Sequence, residues 1–387
     1  GRSRYWDVSF ADRHQGSAAA LEEELADLLR RSVRSRMAAD VPIGAFLSGG
    51  VDSSTVVAFM TEASSKAAVP TCAVGFVDAS ADETAHAELI ARRFATDHRT
   101  RILSPDDNPL IDQLAAQFDE PLADPSTPAI YQACALAREQ MTVALSGDGA
   151  DEAFGGYRRH LVQHRQERIR ALLPSFIRRP GPDGAEAYAA AIGVTAPAIR
   201  QRLWVSDART ALGGYRAEER YIKAMQGAPA RDAVDRAQYA DLRIALPGDI
   251  LTRMDRLSMA VGLEAREPLL DHRLVAFAAR LPVSLRFRGG TGKYLMKKAM
   301  ERHLPPSILY RPQMGMATPV AAWFRGQLAE AARALAGGSA LARTGWFDMP
   351  RIARIAEQHR AGLADHGQLL WQLLMLDRAL KRLFRLA

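Results

Sequence analysis

The sequence predicts an α/β fold, a parallel sheet with flanking helices, followed by a mainly helical C-terminal lobe. Three observations carry this. Short apolar runs alternate with helical periodicities up to about residue 157. Two of those runs end in glycine turns that open into helix starts, 47-LSGGVDSS-54 and 145-LSGDGADE-152. Beyond about residue 160, strand signals nearly vanish and Arg-rich helical segments take over.

Taken in order, residues 1–16 read as an extended tail. Leu21, Leu25, Leu28 and Val33 then recur at helical spacing, with Glu22 to Glu24 near the end where the helix dipole favours acids. Val41, Ile43, Ala45, Phe46 and Leu47 suit a buried parallel strand over 41–47. Ser53 to Met60 reads as a helix, and Thr71 to Val77 as a second strand. Asp82 is placed to cap a helix running to Phe94, and a third strand follows at about 98–103. Thr127 followed by Pro128 starts another helix, with proline at its first position. Met141 to Leu145 is the fourth strand. This alternation implies right-handed βαβ units, with ligands at the carboxyl ends of the strands. Further on, Pro174, 180-PGPDG-184 and Gly213-Gly214 break the helical pattern. Three units are expected: a linker-like tail (1–16), an α/β core (17–157) and a helical lobe (158–387).

The 387 residues are 48% hydrophobic and 25% charged, which suits a globular chain large enough for a substantial core. No apolar run approaches the roughly 18–20 residues that span a bilayer. The first ten residues lack the apolar segment of a signal peptide, so the cytoplasm is the expected compartment. Cys72 and Cys134 lie far apart without CxxC or His-rich neighbours, which argues for buried structural thiols over a metal site. A net charge of +7 raises the question of nucleic acid. The arginines are scattered among acids at helical spacing, so solvated faces are the better reading and no nucleic-acid partner is expected.

The chemistry concentrates in the two glycine turns. In Ser48-Gly49-Gly50, backbone N–H groups can close around an anion, and the helix that follows offers its positive end. Asp52 adds a carboxylate suited to holding Mg²⁺ against a phosphate. The second turn repeats the arrangement, with Asp148, Asp151 and Glu152 crowded at a strand end. Three carboxylates there repel one another unless a cation or a reacting species uses them. An acidic N-cap explains one of them, not three.

SGGxDSS resembles the pyrophosphate loop of ATP pyrophosphatases, which have an adenine nucleotide alpha hydrolase-like fold; it is not a Walker loop. The two motifs together, with 246-LPGDILTRMDRLSMAVGLEAREPLLDHRLV-275, 290-GTGKYLMKKAM-300 and 311-RPQMGMATPVAAWFRGQL-328, resemble the synthetase domain of glutamine-hydrolysing asparagine synthetases. The resemblance extends from about residue 17 onward. It implies an ATP-dependent ligase that activates a carboxylate, aspartate or a related acid, as acyl-AMP with release of pyrophosphate and amidates it with ammonia. It implies that Leu47, Val74, Ser146 and Gly147 form the adenine pocket, and that Ser48, Gly49, Gly50, Asp52, Ser53 and Ser54 bind phosphates. Asp52 and Asp151 then hold Mg²⁺ with Glu152 as a helper, Asp148 serves formation of the acyl-adenylate, and Lys293 meets charge on the pyrophosphate side. A surface lysine at a helix start is the alternative for Lys293. Tyr157 ends the second motif on the substrate side. Glu264 and Arg266 fit either substrate contact or a buried ion pair.

The family's full-length members carry an N-terminal glutaminase domain whose first residue is a cysteine. This chain starts at Gly1, and 4-RYWDVSF-10 resembles the linker where such a domain ends. A glutaminase domain or subunit upstream is therefore the expected partner, and a homodimer is compatible with the sequence. Asp124 also departs from the pattern, because aspartate-using members have an arginine in that region. Residues 311–328 are similar to amidotransferases of exopolysaccharide and exosortase systems. Two rival readings stay open: a tRNA-modifying adenylating enzyme, and a non-catalytic scaffold that retains the fold.

Overall fold

The computed structural model describes residues 3–64, 68–78, 82–103, 108–172, 184–312 and 318–384. Pro174, residues 180–183 of the predicted break and residues 313–317 of the 311–328 segment lie outside the described residues.

Five parallel strands form the sheet: β1 (Ile43–Phe46), β2 (Pro70–Phe76), β3 (Asp97–Leu103), β4 (Val143–Leu145) and β5 (Glu264–Arg266). Their spatial order is β3-β2-β1-β4-β5. The chain builds outward from β1 to β3, then crosses back to add β4 on the other side of β1. Strand order therefore reverses between β1 and β4, where α/β sheets open a crevice at the strands' carboxyl ends. Register makes this concrete: Ala45 of β1 pairs with Leu145 of β4, so the two glycine turns leave the sheet side by side. The four predicted strands are present within a residue or two of their expected ends. β5 was not foreseen; three residues with charged ends carry no apolar alternation.

Helices cover both faces. On one face lie α1 (Ala18–Arg36), α2 (Val51–Ala63), α3 (Thr84–Phe94) and the segment Tyr294–Ala299, which share a core of Leu21, Leu25, Leu29, Phe59, Met60 and Met296. Ser17 caps α1 by accepting from the Ala20 N–H, and Asp82 accepts from the Thr84 N–H at the start of α3. After β3 come α4 (Asn108–Ala116) and α5 (Thr127–Arg138). Helix α5 and the helix Leu251–Met259 cover the other face, where Cys72, Cys134, Met141, Met254 and Leu263 pack together. Both cysteines are buried and free, as their surroundings in sequence suggested.

Short helix α6 (Ala150–Phe154) follows β4, and α7 (Arg158–Leu172) opens the helical part of the chain. Asp241–Ile250 forms a wide π-helical turn that includes Pro247. Proline has no N–H to donate, and the Thr252 hydroxyl caps the Pro247 carbonyl at 2.7 Å. A separate core around Phe324, Leu341, Leu370 and Trp371 holds the C-terminal helices together. The extended N-terminal tail is packed down, with Val8 and Phe10 buried and Phe10 bridged to Ala230. Among the described residues, no helix is long and apolar enough to cross a membrane.

Candidate active site

A cavity of about 620 Å³ opens at the β1/β4 switch point. Leu47, Ser48, Asp52 and Ser53 line it from the first turn, Val74 from β2, and Ser146, Gly147, Asp148, Asp151, Glu152 and Tyr157 from the second motif. The two turns touch: a Cβ on Gly147 would lie 2.8 Å from the Ser53 amide nitrogen, so only glycine lets the second loop rest on the start of α2. Gly50 precedes α2 with no side-chain cap, leaving its first N–H groups to the cavity. The Ser48 amide donates to Ser53 Oγ at 3.2 Å, which holds the turn in shape.

Lys293 comes from 241 residues beyond Asp52, yet its Nζ donates to Asp52 Oδ2 at 2.5 Å and lies 2.7 Å from Asp151 Oδ1. It is buried, with 3% of its surface exposed, so the surface-lysine alternative does not describe it. Its backbone adopts a left-handed conformation (φ 56°) at the start of Tyr294–Ala299. A Cβ on the preceding Gly292 would meet the Gly155 carbonyl oxygen at 2.1 Å. That close approach brings the lysine between the two carboxylates. Burial works against its charge, and Asp151 and Asp52 more than offset this, holding Lys293 above the ordinary lysine range.

The carboxylates are poised by the same forces. Burial pushes Asp52 up to about 6 despite Lys293, and its Oδ1 is buried with no hydrogen-bond partner. Burial also raises Asp148, whose Oδ2 accepts from the Ser146 hydroxyl at 2.7 Å. Glu152 is 1% exposed and pushed up to about 7 by burial, while accepting a hydrogen bond from the Tyr157 hydroxyl.

Other predicted residues fall elsewhere. Gly49 and Gly50 shape the turn without lining the cavity, and Ser54 is fully buried inside α2. Glu264 and Arg266 also lie outside the cavity lining, at the sheet edge. Arg266 donates to Glu264 at 2.7 Å and to the Arg36 and Ala38 carbonyls, and the Glu264 side chain is 56% exposed. That is a half-exposed ion pair tying β5 to the end of α1, neither of the two arrangements expected.

The far wall was only partly legible in sequence. It holds Asp124, Ser126, Arg159, Ile192, Val194, Asp249, Arg253 and Gln368. Arg159 stacks 3.7 Å over the Tyr157 ring and donates to buried Asp241, which also accepts from Tyr188 and contacts His160. The π-helical turn carries Asp249 and aims Arg253 inward. Their i,i+4 spacing was the available sign of a pair.

A family model described as asparagine synthase matches residues 24–381. The chain belongs to the asparagine synthase family. It is 31% identical over 375 residues to the "putative asparagine synthetase [glutamine-hydrolyzing]" of Mycobacterium tuberculosis, covering 91% of this chain and 56% of that protein. It is 30% identical over 382 residues to the glutamine-hydrolyzing asparagine synthetase 1 of Bacillus subtilis, covering 92% of this chain and 58% of the relative. Asparagine synthetase 3 of the same organism is 27% identical over 342 residues, covering 80% and 50%. This family member thus spans about half the length of the curated relatives it matches. Its resemblance to the synthetase half of such enzymes, drawn from the two glycine motifs, is thereby established at the level of family.

Proposed function

We propose that this chain is the synthetase part of a carbon–nitrogen ligase that uses ATP to turn a carboxylic acid into its amide. The observation that carries this is the convergence of Asp52, Asp151 and Lys293 beneath two glycine turns at one sheet switch point. In the first half-reaction an oxygen of the substrate carboxylate attacks the α-phosphorus of ATP. The bond from that phosphorus to the bridging oxygen breaks, and pyrophosphate leaves. In the second, ammonia attacks the acyl carbon, the bond to the AMP oxygen breaks, and a proton is lost.

The residues support these steps in distinct ways. The Ser48–Ser53 turn and the open end of α2 bind and orient the phosphates. The Lys293 ammonium faces the charge that grows as pyrophosphate departs, in a buried setting where it acts strongly. Burial raises Asp148 above the ordinary carboxylate range and Glu152 to about 7, which supports a role for them in taking up or passing the proton lost by the attacking amine. Asp52 and Asp151 are the residues that would hold Mg²⁺, and the buried, unpartnered Asp52 Oδ1 fits such an ion. Among the described residues no group of three or more His, Cys, Asp or Glu is arranged for a metal, so phosphate oxygens would complete the shell. Mg²⁺ bound there would neutralise phosphate charge and favour pyrophosphate departure. We further place the protein in the cytoplasm, working with a glutaminase domain or subunit that supplies ammonia.

Asp52→Asn tests the reading, because it keeps the shape and removes the charge. Mg²⁺-dependent pyrophosphate release should drop by about 10²-fold or more in a protein with an unchanged circular dichroism spectrum. Wild-type release with the same Mg²⁺ dependence would refute it.

A further inference from the structure

Helix α6 carries Asp151 and Glu152 into the cavity, yet with five residues it cannot satisfy its own last four carbonyls. Each is met from beyond the helix. The Asp151 carbonyl accepts the Gly156 N–H at 2.9 Å, and the Phe154 carbonyl accepts the Lys293 N–H at 3.3 Å. The two between them, on Glu152 and Ala153, both accept from Nε2 of Gln238, at 2.8 and 3.1 Å. One amide side chain thus ties down the stretch that joins the two acids to the anchor of the lysine.

Gln238 is fully buried on the helix Ala233–Ala240. Arg286 Nη1 donates to its Oε1. A guanidinium only donates and a carbonyl only accepts, so the amide has a single orientation, with Nε2 facing α6. Nη2 of Arg286 donates to Asp235 Oδ1, and neither side chain of this pair is exposed. Removing either partner would strand a buried charge. The other Asp235 oxygen accepts from Arg13, which also donates to the Phe10 and Ala279 carbonyls at 2.9 and 3.2 Å. The Phe10 ring centre lies 5.6 Å from the Arg286 guanidinium carbon. The N-terminal segment is thereby built into the support of the site.

Building on the ligase reading above, we infer that Gln238 is a positioning residue for that reaction. Oriented by Arg286 and Asp235, it fixes α6 so that Asp151, Glu152 and Lys293 meet the nucleotide in register, and Arg13 of the N-terminal segment is the outer end of this relay. Gln238 lies outside the cavity lining and reaches α6 through backbone carbonyls alone. The first glycine turn, which is read as binding the phosphates, does not depend on it. Losing Gln238 should therefore cost turnover more than ATP affinity, since small displacements of catalytic groups are expensive.

The test is Gln238→Glu and Gln238→Met in the full chain. Glutamate keeps the size and the bond from Arg286 but turns an oxygen toward the two carbonyls; methionine keeps the length and removes both bonds. Each should lower kcat for ATP–pyrophosphate exchange, with aspartate, glutamate and succinate as the acids, by about tenfold or more per bound ATP, while ATP affinity stays within about threefold. Hydrogen exchange of the 150–156 amides should rise in both. Arg13→Gln, whose side chain is partly exposed and whose loss leaves Arg286 in place, should move both readouts the same way, by about twofold or more in turnover, and carries the test if the Gln238 variants do not fold. The control is Asp377→Ala, a buried carboxylate that accepts the Ala340 N–H at 2.7 Å in the C-terminal core. It should lower Tm and leave turnover per bound ATP and 150–156 exchange unchanged. Wild-type turnover and hydrogen exchange in the Gln238 variants, or in Arg13→Gln where those do not fold, would overturn the inference and leave the ligase reading standing. So would an equal loss in Asp377→Ala. A wild-type chain that binds ATP and exchanges pyrophosphate with none of the acids would overturn the ligase reading, and with it the role of Gln238 in that reaction.

Discussion

Replacing Lys293 by methionine keeps a long flexible side chain and removes only its charge. In the native chain the buried ammonium sits 2.5 Å from Asp52 and 2.7 Å from Asp151, whose side chains are 20% and 19% exposed. Taking away one partner of a buried ion pair typically costs about 3–5 kcal/mol, because the remaining charge is left without compensation. Here two carboxylates are stranded, so Lys293→Met should lose at least about 3 kcal/mol at pH 8. The loss has a pH signature. Asp52 is already raised to about 6, so its contribution to stability is full below the ordinary aspartate range and declines as pH climbs through 6. Without Lys293 its folded-state pKa rises further. The variant therefore falls away from wild type across a wider window, starting near pH 4, and recovers on acidification as the carboxylates take up protons. Urea unfolding of both proteins, without nucleotide or metal, at pH 5 and pH 8 reads this directly. A difference of under about 1 kcal/mol at pH 8 would mean the carboxylates are well solvated. An equal difference at both pH values would mean packing, not charge, is what lysine supplies. Either result refutes the Asp52–Lys293–Asp151 triad as the organising feature of the site.

Other perturbations separate the remaining parts. Glu152→Gln should stabilise the nucleotide-free protein at pH 8 by up to about 3 kcal/mol and have little effect at pH 4, since burial lifts Glu152 from 4.5 to about 7 and its stability is lost as pH rises through that range; thermal unfolding across pH checks it, and destabilisation at pH 8 would contradict it. Gly292→Ala places a methyl group against the Gly155 carbonyl and should cut pyrophosphate exchange by about 10²-fold through displacement of Lys293, with no change in charge; unchanged exchange would show that the approach is not needed. Cys72 and Cys134 are buried, with burial pushing Cys72 up to about 12 and Cys134 higher still, so neither offers a thiolate at neutral pH. This chain should therefore form amide with free ammonia and release no glutamate from glutamine; robust glutamate release that survives replacement of both cysteines would disprove that.

Much of the fold was legible because the first glycine turn and its flanking elements are local. A strand, a glycine turn and a helix start occupy consecutive residues, and Val41 to Ser54 declares all three in one line of sequence. The same is true of Asp82 and of Thr127-Pro128, whose helix-starting roles depend only on neighbours. What sequence hid is what distance along the chain creates. Glu264–Arg266 becomes a strand because β4 offers an open edge, not because of its own pattern. Its charges then find α1 rather than the cavity. Pro247 reads as a helix breaker, and the wide π-helical turn that accommodates it is a tertiary outcome. Arg253 and Asp249 announce a pair at i,i+4, but nothing in that spacing shows that the pair faces Asp124 across a cavity.

The distance from Asp52 to Lys293 has a consequence for how the molecule comes into being. The cradle, with its two acidic residues, leaves the ribosome some 140 residues before the lysine that neutralises it, as Asp151 and Lys293 are placed in the chain. Until then, a nascent sheet of β1 to β4 contains facing carboxylates with no counter-ion and an open edge where β5 will pair. Contacts of such long range must close late, after much loop entropy has been given up. If the proposed nucleotide site is right, its competence should arrive in a single late event, and a chain cut before residue 293 should be a non-binding, aggregation-prone species rather than a smaller, weaker enzyme.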